Sequence, residues 1–123
     1  MFPQQHLLTA PQSSTAGTVT DIQDDGRGEV TLLVRGDVDT AGSPVLARGL
    51  DAAWLRTPAS LVVDLADARF VNVSSLAVLF RARNRAQERG VAFRAEGLPA
   101  PIRRFMTAME LDLDVPARAA ARP

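Results

Sequence analysis

The stretch Leu61-Val62-Val63-Asp64-Leu65-Ala66-Asp67-Ala68-Arg69-Phe70-Val71-Asn72-Val73-Ser74-Ser75-Leu76 decides how this chain folds. Its first five residues form a short apolar run, and Thr57-Pro58 breaks the chain just before them. A run of that length between turn signals marks a central strand covered on both faces. Ala66 to Arg69 read as a link to Phe70-Val71. From about Ser74 the pattern takes on a helical period and keeps it to Arg89. Leu76, Leu79, Ala82 and Ala86 share an inward face. Arg81, Arg85 and Arg89 recur every fourth residue on another face, which reads as solvated, with Glu88 beside them. Gly90 suits the end of that helix.

Upstream, Thr18 to Ile22 predicts a short edge strand, and Asp24-Asp25-Gly26-Arg27-Gly28 a turn. Glu29 to Val34 reads as a strand paired back as a hairpin, with Gly36 to Asp39 as its exit. Ser43-Pro44 reads as an N-cap followed by Pro at the first helical position. That helix runs to about Leu55, with Leu46, Leu50 and Trp54 as its buried stripe and Gly49 as a weak point. Downstream, Val91 to Ala95 predicts a strand. Pro99 to Met109 predicts a helix whose apolar side is Ile102, Phe105, Met106 and Met109. Leu111 to Val115 alternates and reads as a further strand. Trp54 and the methionines of the last helix are read as core.

Strands alternating with helices imply right-handed crossovers. The expected fold is α/β, a mixed, mainly parallel sheet of four to five strands with about three helices. One domain spans residues 18–115. Residues 1–17, rich in Gln, Ser, Thr and Pro, read as a flexible tail, and 116–123 as a second tail. In such sheets functional loops gather at the carboxyl ends of the strands. The candidates there are Asp37, Asp39, Asp64 and the run from Asn72 to Ser75.

Composition narrows the function. The 123 residues carry fourteen Arg, no Lys, ten Asp and four Glu, for a net charge of zero. Proteins that live on nucleic acid or anionic membranes need a surplus of positive charge, so neither partner is expected. The absence of Cys excludes disulfides and thiolate chemistry. The single His, His6, lies far in sequence from the Ser-rich loop, so a Ser-His-Asp triad is not expected. No Gly-rich nucleotide loop follows a strand, and no motif fixes carboxylates around a metal, so neither cofactor nor metal is expected. No segment is long and apolar enough to insert in a membrane. The start of the chain lacks a basic segment followed by an apolar one, which makes the cytoplasm the default compartment.

The element order, Arg35-Gly36-Asp37-Val38-Asp39, Leu61 to Leu65, and Phe70 to Leu76 together resemble a STAS domain, the fold of bacterial anti-sigma-factor antagonists. Pro101-Ile102-Arg103-Arg104-Phe105-Met106 is similar to that family's last helix. The likeness covers Thr18 to Val115. The family's loop reads Asp-Ser-Ser-Gly-Leu, its second Ser being the phosphate acceptor. Here Asn72, Val73, Ser74 and Ser75 stand at its first four places, and Leu76 keeps the fifth.

The resemblance implies a non-enzymatic regulator whose partner is an anti-sigma factor and serine kinase of the histidine-kinase-like ATPase type. It implies Ser74 as the phosphoacceptor. It implies a docking surface of Asp37, Asp39, Asn72, Val73, Ser74, Ser75 and the exposed helix face that carries Arg81. A homodimer is a possible assembly. The changed loop leaves a second reading, a non-phosphorylated STAS-like subunit of a membrane lipid-transport or other multiprotein assembly. Beside these stand plainer roles. Asn72 or Ser74 can serve as an N-cap, Ser75 as an exposed first-turn residue, and Asp37 and Asp39 as turn residues.

Overall fold

The computed structural model describes residues 17–117. Among the described residues, four strands and three helices follow one another. They are β1 (Thr18–Asp24), β2 (Glu29–Val38), α1 (Ser43–Trp54), β3 (Ser60–Val71), α2 (Val73–Arg89), β4 (Ala92–Glu96) and α3 (Ala100–Ala108). The sheet order is β1-β2-β3-β4. β1 pairs antiparallel with β2, and the β2–β3 and β3–β4 pairs are parallel. The expected mixed, mainly parallel sheet is therefore present with four strands. The two tails read from the sequence fall almost wholly outside the described residues, as does His6.

The hairpin turn forms where Asp and Gly cluster. Asp24 Oδ1 accepts from the Gly26 amide at 2.9 Å, and Asp25 Oδ1 accepts from the Arg27 and Glu29 amides at 2.7 and 3.0 Å. Those amides hold the Asp25 carboxyl below its ordinary pKa, the Arg27 amide most of all.

Both parallel crossovers step the same way along the sheet, so α1 and α2 lie side by side on one face. Leu46 and Leu50 from α1 and Leu76, Leu79, Ala82 and Ala86 from α2 meet Leu32, Leu61, Val63 and Leu65 of the sheet in one core. The consecutive burial of Leu61, Val62 and Val63 fits a strand covered on both faces. Gly49, expected to weaken α1, is where that helix touches the sheet. A Cβ there would sit 3.1 Å from Leu32 and 3.2 Å from Thr20 Oγ1. Close approach outweighs the helix-propensity cost.

Three sequence expectations are corrected. β3 does not stop at Leu65: it runs unbroken through Ala66–Arg69 to Val71, accommodated by two register shifts against β2. The stretch from Leu111 to Val115 is not a fifth strand, and Val115 makes a single antiparallel bridge to Phe93. The apolar side of α3 is not core throughout. Met106 is buried, Ile102 is half-buried, and Phe105 and Met109 are 40% and 58% exposed. No described helix is long and apolar enough to cross a membrane.

Candidate functional site

β2 and β3 end side by side, and each leads straight into a helix. The rim so formed carries the turn from Asp39 to Ser43 and the start of α2 from Asn72 to Ser75. Four consecutive residues of that second start do four different things.

Asn72 is extended, with φ −101° and ψ −179°, and it is the N-cap of α2. Its Oδ1 accepts from the Ser75 amide at 3.0 Å, which satisfies one of the open donors of the first turn. Its Nδ2 donates to Thr40 Oγ1 at 3.0 Å, and its backbone amide donates to the Val38 carbonyl. An ionised Asp at this place could cap but could not donate to Thr40. Asn72 thus joins the two helix starts.

Val73 is 68% exposed, an apolar side chain held in water. Ser74 follows it and is also exposed. Its hydroxyl makes no hydrogen bond among the described residues, so the cap is Asn72 and not Ser74.

Ser75 corrects the sequence reading most sharply. Expected to be exposed and part of the docking surface, it is 0% exposed. Its Oγ donates to the Val38 carbonyl at 2.9 Å and lies 2.9 Å from Ser43 Oγ. Each hydroxyl has one proton, and either can donate across the Ser43–Ser75 contact. Ser43 Oγ also lies 3.2 Å from the Asp39 carbonyl. Ser43, expected as an N-cap, is the first residue of α1. Gly42 is the cap, and having no side chain it makes no side-chain capping bond to the first turn. A Cβ at Gly42 would lie 2.1 Å from Thr18 Oγ1. That Thr18 hydroxyl is buried and donates to the Asp37 carbonyl at 2.7 Å. Thr18, Ser43 and Ser75 thus knit the start of β1, the end of β2 and the starts of α1 and α2 together with buried hydroxyls.

The acidic candidates divide. Asp37 pairs with Arg69 Nε at 3.1 Å, an exposed contact that contributes little. Asp39 turns inward along the chain, its Oδ1 accepting from the Gly42 amide at 2.9 Å. Asp64 was expected at a strand end, but β3 carries on for seven residues beyond it, about 23 Å at the usual rise. It bonds the Ala66 amide and does not join Asp37 and Asp39. Among the described residues no group of three or more acidic or His side chains is placed to hold a metal ion.

Arg81 is exposed on α2, about 10 Å beyond Ser74 along the axis. Ser74, Val78, Arg81 and Arg85 fall on one stripe by their 4-3-4 spacing. Val78, Arg81, Ala82 and Arg85 face Ala47, Leu50, Asp51 and Trp54 of α1 across a groove of about 240 Å³. The arginine face is not simply solvated, as the sequence suggested. Arg85 and Arg89 lie over the Trp54 ring at 5.5 and 5.2 Å from its centroid, and Arg85 pairs with Asp51 at 3.5 Å. Spacing gave the stripe, but nothing in the sequence said that Trp54 lay beneath it.

The residues 22–115 match the family model described as Mlab, STAS domain. Among solved structures, the chain is similar to an anti-sigma factor antagonist from Mycobacterium paratuberculosis. That match is 22% identical with a TM-score of 0.62, covering 79% of this chain and 83% of the other. It is also similar to an antisigma-factor antagonist STAS domain from Rhodobacter sphaeroides, 20% identical with a TM-score of 0.56, over 68% of this chain and 90% of that one. At such identities the likeness establishes a shared fold. No curated protein matches the chain.

Proposed function

The chain belongs to the STAS domain family, and from that membership we propose that it acts as an anti-sigma-factor antagonist controlled at Ser74. It binds a kinase-type anti-sigma factor through the rim at the start of α2, and so frees a sigma factor. It is a substrate of that partner and not itself an enzyme. The partner's kinase activity transfers the γ-phosphoryl group of ATP to Ser74 Oγ, which gives up its proton, while the β–γ bond breaks and ADP leaves.

The division of labour along the loop is the observation that carries this reading. Asn72 caps, Ser75 is buried in the hydroxyl knit, and Ser74 between them is exposed and without a structural task. A helix start with no acidic residue in its first turn accommodates a phosphate, because its free amides and partial positive charge face the anion. The modification adds about −1.5 to −2 charge at neutral pH beside the exposed Val73. A partner that desolvates Val73 would then have to desolvate that charge as well, and it leaves. No movement of the domain is needed.

The exposed Val73 also favours a second reading, a constitutive STAS subunit of a larger assembly that docks on the same rim without phosphorylation. Affinity capture of the tagged chain from its own cells, read for partners and for modification, separates the two. A kinase-like anti-sigma factor, with Ser74 phosphorylated in part, supports the first. Transporter subunits with Ser74 bare support the second. In the first case Ser74→Glu weakens binding of the captured partner at least several-fold, and unchanged affinity removes the switch.

A further inference from the structure

We propose that the groove between α1 and α2 is a second docking site, one that takes an acidic segment of a partner protein anchored by an apolar side chain. The inference extends the docking reading of α2 but rests on a different part of it. The floor is apolar, made by Ala47, Leu50, Trp54, Val78 and Ala82. At about 240 Å³ it is smaller than the ~300–1,000 Å³ that encloses a small-molecule ligand. It suits an anchoring side chain of a larger partner, as interface pockets do.

Charge complementarity fixes the chemistry of that partner. Arg81 and Arg85 line one wall, Arg89 follows a turn later over Trp54, and the opposite wall offers one carboxylate, Asp51, which already pairs with Arg85. The local surplus is positive in a chain with no net charge. The guanidiniums of Arg85 and Arg89 lie over the Trp54 ring, and Arg85 keeps further N–H donors for a carboxylate beyond the one it gives Asp51. Carboxylates spaced along one face of a partner segment meet that row, and its apolar residue enters the groove.

The groove carries its own reporter. Trp54 is the only tryptophan of the chain, which has no tyrosine. Its emission in the full chain is followed during titration with a synthetic Glu/Leu peptide whose Glu residues recur every fourth position. The control peptide has every Glu replaced by Lys. The expected result is a saturable change with the acidic peptide alone, weakened about tenfold in the double variant Arg81→Glu, Arg85→Glu. Equal response to both peptides, no saturable response, or an unmoved affinity in the double variant overturns the proposal. So does binding of anionic phosphatidylglycerol vesicles in place of the peptide. Because the variant residues are exposed or half-buried, folding is checked by thermal melting, and Arg81→Gln with Arg85→Gln serves as the milder pair. The outcome is separable from the Ser74 switch. Ser74→Glu can leave partner affinity unchanged while the groove still takes the peptide, or the reverse.

Discussion

Helix α2 buries Leu76, Leu79, Ala82 and Ala86 between the sheet and α1, whereas α3 buries only Met106 from a stripe that also holds Ile102, Phe105 and Met109. Both stripes have the helical period, so period is not what separates them. α2 leaves a central strand and crosses to the next, with α1 beside it. α3 leaves β4, the last strand of the sheet, and has no further strand to cross to. Periodicity tells which residues share a face. The topology decides whether that face is covered.

The widest gap between the two helices is expected in the cost of truncation. Leu79→Ala should lower unfolding stability by about 2–5 kcal/mol, measured by denaturant titration. A loss near zero would mean that the core under α2 is loosely packed. The next largest effect tests the split within α2 itself. Ser75→Ala strips a donor from Val38 and a hydrogen-bond partner from Ser43 in a buried place, at about 1–3 kcal/mol. Its neighbour Ser74→Ala should stay within about 0.5 kcal/mol. Equal losses would put Ser74 in the structure and out of the switch. On α3, Met109→Gln should also change stability by less than about 0.5 kcal/mol, since the side chain is already in water. A loss comparable to that of Leu79→Ala would erase the contrast between the helices.

The smallest expected effect lies in the segment after α3. Partial desolvation of an otherwise exposed side chain, and then the charge of Asp112, push the Asp114 carboxyl above its ordinary pKa. The Ala95 amide and Arg94 oppose this, and Glu96 adds to it. The folded state therefore holds this proton more tightly than the unfolded chain, and ionising Asp114 at neutral pH lowers stability. Asp114→Asn should raise the melting temperature slightly at neutral pH. The gain should disappear as pH falls below the ordinary carboxylate range, where both states are protonated. A gain that persists in strong acid would have another origin than charge.

The sequence allowed the alternation of elements, the core stripes of α1 and α2 and the placement of Ser74 at a helix start to be read directly. What it hid has physical causes. Ala66 to Arg69 looked like a link because Ala and Asp are poor strand formers, yet pairing with β2 through two register shifts overrides that preference. Leu113 and Val115 alternate like a strand and are buried, but only Val115 pairs, through its bridge to Phe93. The site was legible as a place and not in its parts. Ser74 and Ser75 are the same residue type one position apart, and the turn of the helix sends one to water and the other inward. Trp54 was rightly read as buried, but the arginines above it came from an element nineteen or more residues away in sequence.

Consider last what the hydroxyl knit does for the history of this surface. Ser75 is tied at once to β2 and α1, so a replacement there must keep a small side chain and its hydrogen bonds or forfeit stability. Ser74 carries none of that burden, and Val73 beside it is largely exposed. These two positions can mutate at almost no folding cost. The exposed chemistry of the rim can thus change residue by residue while the fold beneath it stays as it is.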